Sequence, residues 1–306
     1  MVIERSWLKV FSHINFYLSM TICLVFSNVI RSQSYFGTEA DLVFNSLYGF
    51  NLSQSDSIVR ANRASMQDTA VWNLLSANVA WMEILAGNME SPVWNAQFEK
   101  NIKASKRNLK ENGIDEDDRL FYYIIVHAFK TRHELLNDNY INAANDLNTC
   151  VDQISESFGR EDEYEPFYLT SGLYYYFMAK AHQDYLLMRP YLMFYPDGDM
   201  KKGLDYLGRL TTSSDIFLRN ESNYFLMRIY YDLEKDFERA LRYANNLVVK
   251  NPQNLIYRLY LIKILRALES DQLTDMEAIF ASAVNSNVDL NSEQKKHFLE
   301  QLNSDE

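Results

Sequence analysis

The chain has 306 residues, of which 47% are hydrophobic and 14% aromatic, enough apolar material to bury a large core and to exclude global disorder. Its 9 glycines and 5 prolines are too few for the turn-dense strands of a β-sandwich or for a flexible linker protein. With 41 acidic against 30 basic residues the formal charge is −11. Such a surface repels a phosphate backbone unless its cations gather in a stripe; the densest basic stretch, Lys100 to Lys110, is interrupted by Asn, Ala, Ser and Leu, so no nucleic acid is expected as a partner.

Residues 1–34 read as a signal peptide. Arg5 and Lys9 form a short positive region, Phe16 to Ile30 is mostly apolar, and Ser32-Gln33-Ser34 places small residues ahead of a cut before Tyr35. The competing reading is an uncleaved membrane anchor. A spanning helix wants about 20 apolar residues, and this run is shorter and carries Ser19, Thr21, Ser27 and Asn28. Cys23 lacks the small residues that precede a lipidated cysteine. Cleavage removes three basic residues and one acidic one, leaving −13 and a single thiol, Cys150, so an exported form is held by packing without an internal disulfide. The expected location is the periplasm or cell envelope, with membrane association only if the segment stays uncleaved.

Residues 35–306 read as one all-α repeat domain. Apolar periodicity predicts first helices over 38–50, 70–88, 117–137, 166–188, 214–233 and 253–269. Their partners fall at 53–66, 92–111, 140–158, 199–212, 236–250 and 273–285, with a terminal helix near 291–302. The sum is an α-solenoid of about six antiparallel hairpins plus a terminal helix. The acidic runs at 115–118 and 161–163 suit helix N-termini, and neither alternates ligands around a glycine as a calcium loop does.

The sharpest internal repeat lies over Glu221 to Pro252. Tyr224, Met227 and Tyr231 mark one helix; Ala240 supplies the small residue that lets a second helix cross closely, and Pro252 closes the unit. These positions resemble the 34-residue tetratricopeptide (TPR) pattern, with Arg228 standing where glycine is usual. Fainter copies are Asp199-Met200-Lys201-Lys202-Gly203-Leu204, with Gly203 in the place of Ala240, and Asn139-Tyr140-Ile141-Asn142-Ala143, with Ala143 at the crossing. The block from Ser171-Gly172-Leu173 to Gly203-Leu204 further resembles a divergent TPR subgroup, that of the mitochondrial outer-membrane and inclusion-body-clearance TPR proteins and their bacterial relatives. That resemblance implies a non-catalytic interaction scaffold with no cofactor, whose partner is a protein or peptide segment.

A TPR array lines its concave face with its first helices. On that ground the expected contact residues are Ser222, Phe225, Ile229 and Asp232 on the strongest repeat, and Leu173, Tyr176, Lys180 and Gln183 on the long central helix. Between Met188 and Asp199, two prolines bracket Tyr191, Leu192, Met193, Phe194 and Tyr195 in a connection longer than hairpins require. Such a loop either tucks over the core, which the burial of five large groups favours, or presents Tyr191 and Phe194 to a partner.

No catalytic constellation is legible. His133-Glu134-Leu135-Leu136-Asn137 has Asn137 where a zinc-protease helix needs its second histidine. His127 on an apolar helix reads as a core histidine, Asp197-Gly198-Asp199 as a turn followed by a helix cap, and Cys150 as a buried apolar group. G-x-S-x-G, the P-loop pattern and G-x-G-x-x-G are all missing, so an enzyme is not expected. The alternative from another class is an envelope nutrient-binding or glycan-binding accessory protein that stacks its ligand on aromatics.

Overall fold

The computed structural model describes residues 35–65, 70–111 and 113–304; the expected signal peptide lies outside them. Among the described residues every regular element is helical and no strand occurs. In chain order the α-helices are α1 (Thr38–Tyr48), α2 (Leu52–Ser65), α3 (Ala70–Leu85), α4 (Pro92–Asn108), α5 (Glu116–Leu136), α6 (Tyr140–Glu156) and α7 (Pro166–Asp184). There follow the short α8 (Arg189–Leu192), then α9 (Met200–Leu210), α10 (Ile216–Arg228), α11 (Phe237–Lys250), α12 (Leu255–Ala267), α13 (Leu273–Ser286) and α14 (Ser292–Asn303). The helices pack in adjacent pairs, as an all-α solenoid requires.

Short polar side chains start these helices. The side chains of Asp199, Asp215, Asp236 and Asn254 each accept a backbone N–H from the first turn of α9, α10, α11 and α12. Each satisfies a donor that the helix itself leaves open. Asp115 does the same for α5, so the acidic run there serves as a helix start. At α14, Asn291 and Gln294 exchange side-chain and backbone bonds in a capping box.

The described residues form two compact units, one of residues 105–213, the other of residues 35–104 together with 214–304. In the first unit α5 packs on α6 and α7 on α9. Ala143 is buried on α6, and α7 and α9 also cross closely. A Cβ on Gly203 would stand 2.6 Å from both the Gly172 carbonyl oxygen and the Tyr176 nitrogen, so only glycine fits there. The small residue expected at this crossing thus proves to be a steric requirement.

In the second unit α11 packs on both α10 and α12, with Ala240, Ala244 and Leu247 fully buried. Arg228 does not open this pairing. Its guanidinium lies 4.6 Å from the Tyr260 ring centroid and pairs with Asp232, and the chain passes there into one π-helical stretch, Ile229–Leu233. Burial disfavours its charge, but the Tyr260 and Tyr224 rings and Asp232 raise its pKa above the ordinary arginine value.

The same unit brings together segments about two hundred residues apart. Phe36 meets Phe217 edge-on at 5.9 Å, and Tyr48 Oη donates to Glu221 Oε1 at 3.0 Å. The Asn254 side-chain amide donates to the Tyr48 carbonyl at 3.1 Å, and Phe50 meets Phe298 at 5.7 Å. Gln294 donates to Glu83 at 2.8 Å. Gly87, at φ +108°, lets the chain turn directly under His297, whose Cβ a Gly87 side chain would meet at 2.7 Å. These contacts go beyond neighbour-to-neighbour stacking.

One pair is looser than the rest. α3 and α4 approach closely at few points, and Trp81 and Phe98 lie between them with ring centroids 5.6 Å apart.

Candidate binding surface

α7 is apolar nearly all the way round, so it is a core helix rather than one with an open face. Its run ends where Tyr185 leaves helical geometry (φ −120°, ψ 74°) and a short 3₁₀ turn, Leu186–Met188, leads into α8. The connection to α9 is anchored at several points. Tyr195 Oη donates to Asn148 Oδ1 at 2.9 Å, Tyr174 Oη donates to the Pro196 carbonyl at 2.7 Å, and the Asp199 N–H donates to the Tyr175 carbonyl at 2.9 Å. Gly198 lies flat on α7, where a Cβ would fall 2.1 Å from the Ala179 nitrogen.

Ahead of those anchors, over residues 186–194, the apolar side chains divide. Leu192 is buried, whereas Leu186, Leu187, Met193 and Phe194 are 62%, 72%, 70% and 82% exposed. The connection therefore both tucks and projects: Leu192 and the 195–199 end pack on the helices, and four large apolar groups face water. Monomers rarely leave so much apolar area on one short segment without a use for it. The side chain of Tyr191 lies outside the described ones.

The expected contact residues fall into two groups. Tyr176, Phe225 and Ile229 are fully buried, as are Leu173 and Ser222, and none is open to a partner. Tyr176 sits at the Gly203 crossing, and Phe225 lies within a run of α10 buried from Tyr224 to Met227. These corrections share one cause: aromatic and apolar residues on every side of α7 and α10 are consumed by helix packing. Asp232 is half-buried and committed to Arg228. Lys180 pairs with Asp184 at 3.3 Å on the last turn of α7, and Gln183 is exposed beside it. Lys180 and Gln183 thus share the last turns of α7, and Phe194 lies in the connection that follows. Leu186 and Leu187 escaped the sequence reading because helical periodicity runs on through them to residue 188.

The titratable groups of the first unit are built into packing. His127 is buried and its Nδ1 lies 2.8 Å from Asp146 Oδ1; the other carboxylate oxygen pairs with Lys130. Burial pushes the Asp146 carboxyl up, but hydrogen bonds from His127 and Lys130 outweigh it and hold the pKa below the ordinary value. Cys150 sits one turn further along α6, with its Sγ 3.6 Å from the Ile124 carbonyl. Burial pushes its thiol up to about 12. A thiol of that kind is inert. Cys150 is expected to resist a water-soluble disulfide reagent in the native protein and to react within the mixing time in denaturant; comparable labelling in both states would place it on the surface. Among the described residues, no three His, Cys, Asp or Glu side chains gather within reach of one metal ion, and no helix is long and apolar enough to cross a membrane.

The chain matches no protein-family model, no curated protein and no solved structure.

Proposed function

We propose that this protein is an exported, non-enzymatic scaffold of TPR type, which holds a protein segment at the tip formed by the end of α7 and the connection that follows it. The observation that carries this reading is the set of four apolar side chains, Leu186, Leu187, Met193 and Phe194, exposed to water on a connection whose far end is tied down at Tyr195 and Pro196. Together they offer on the order of 500 Å² of apolar surface, within the range at which an exposed patch is commonly functional. Lys180, paired with Asp184, and the exposed Gln183 lie on the last turns of α7, just ahead of Leu186 in the chain. With Phe225 and Ile229 in the core, the contact is concentrated at this tip rather than spread along the first helices.

The small residues at helix crossings and the repeat pattern over Glu221 to Pro252 support the TPR assignment, and the Arg5, Lys9 and Phe16–Ile30 pattern supports export. The exported form is expected to begin at Tyr35, which N-terminal sequencing of protein from the envelope fraction checks; an intact Met1 in the membrane fraction gives the anchored form instead.

The double variant Met193→Ser/Phe194→Ser tests the binding role. Expected is at least a tenfold loss of the protein that co-purifies stoichiometrically with the native chain, at unchanged helical content by circular dichroism. Retention of that protein at native level would remove the tip from the interface. Capture of a glycan with no protein would support the accessory-protein reading instead.

A further inference from the structure

The tip that follows α7 carries one charge among its apolar groups. Between Asp184 and Asp197 the only charged residue in the sequence is Arg189. Backbone bonds place it among the exposed side chains. The Arg189 N–H donates to the Leu186 carbonyl, and the Met193 N–H donates to the Arg189 carbonyl at 3.0 Å. Leu186 stands three residues before Arg189 and Met193 four residues after it, spacings that bring side chains to one side of a helical backbone. All three are exposed.

The guanidinium is held at one corner. Its Nε donates to the His182 carbonyl at 2.9 Å, a neutral partner that orients the group without cancelling its charge. Among the described residues no carboxylate pairs with Arg189, and the preceding acid, Asp184, is engaged by Lys180 at 3.3 Å. Nη1 and Nη2 are left to offer. A partner that covers Leu186 and Met193 also takes water away from the arginine between them. An uncompensated charge there costs binding energy. A carboxylate on the partner offsets that cost, because it matches the planar donor pair of a guanidinium.

We infer that the segment held at the tip carries an aspartate or glutamate side chain among its apolar residues, placed to meet Arg189 between Leu186 and Met193. This rests on the reading of the tip as a protein-binding surface and adds the charge of the partner to it.

Selection of a displayed library of short random peptides on the full chain tests this, with the native protein, Arg189→Gln and Met193→Ser/Phe194→Ser run in parallel. The native protein is expected to enrich apolar peptides in which Asp or Glu stands at least about threefold above its library frequency, the mark of one charge-assisted pair. Arg189→Gln, at unchanged helical content by circular dichroism, is expected to keep the apolar preference and lose the acidic one. Met193→Ser/Phe194→Ser is expected to lose both. Apolar enrichment without an acidic preference, or an acidic preference that survives in Arg189→Gln, would overturn the inference and leave the tip as a binding surface. No enrichment by the native protein, or the same enrichment by Met193→Ser/Phe194→Ser, would overturn the reading of the tip and this inference with it.

Discussion

Gly203→Leu is expected to destabilise the protein by more than about 4 kcal/mol, and Gly203→Ala by about 2–3 kcal/mol, the range seen when a packed contact is overfilled and the backbone must move. The reason is geometric. The atoms a Cβ would strike at 2.6 Å are the Gly172 carbonyl oxygen and the Tyr176 nitrogen, both main chain, so no side chain can swing aside. α9 carries its own control. Gly208 lies in the same helix, and a Cβ there meets nothing within 4 Å. Gly208→Ala should therefore be neutral or gain up to about 1 kcal/mol from helix propensity. Urea unfolding followed by circular dichroism checks both substitutions. Similar behaviour of the two alanine variants would mean that α7 and α9 do not cross closely.

Asp146→Asn is the second large effect, expected to cost about 3 kcal/mol near neutral pH. It leaves His127 and Lys130 facing an amide in a site from which water is largely excluded. The pH dependence has a definite sign. The folded carboxyl titrates below the unfolded one, so its contribution is present above the unfolded value of about 4 and is lost as pH falls through that value toward the folded one. The stability difference between native protein and Asp146→Asn should accordingly shrink on acidification below about pH 4. A difference that stays constant down to pH 2 would mean that packing, not charge, sets the cost.

The helical hairpins were legible in the sequence because their signals are local. Periodic apolar residues, a capping Asp or Asn at the start and a small residue at each crossing all fall within one 34-residue window. Asp199, Gly203 and Ala240 perform the structural tasks their spacing implied. What joins distant segments was not legible. Tyr48 with Glu221, Phe50 with Phe298 and Glu83 with Gln294 are separated by 173 to 248 residues, and no repeat period encodes them.

The binding surface was legible only in part, for a related reason. A first helix of a repeat presents either a core side or a binding side, and spacing alone does not say how much of its circumference is packed. In α7 and α10 nearly all of it is, so Tyr176, Phe225 and Ile229 went to the core. Phe194 stands out because two prolines interrupt the periodicity around it, and Lys180 and Gln183 because polar residues end the apolar run of α7.

The most direct test places a photo-crosslinking amino acid at position 194 and, in a second protein, at Val249, an equally exposed apolar site on α11. Both are irradiated in cells that naturally make the protein. A discrete protein adduct from position 194, and none from position 249, is the result expected of a scaffold that holds its partner at the tip of α7. No adduct from position 194, or the same adducts from both positions, would contradict it.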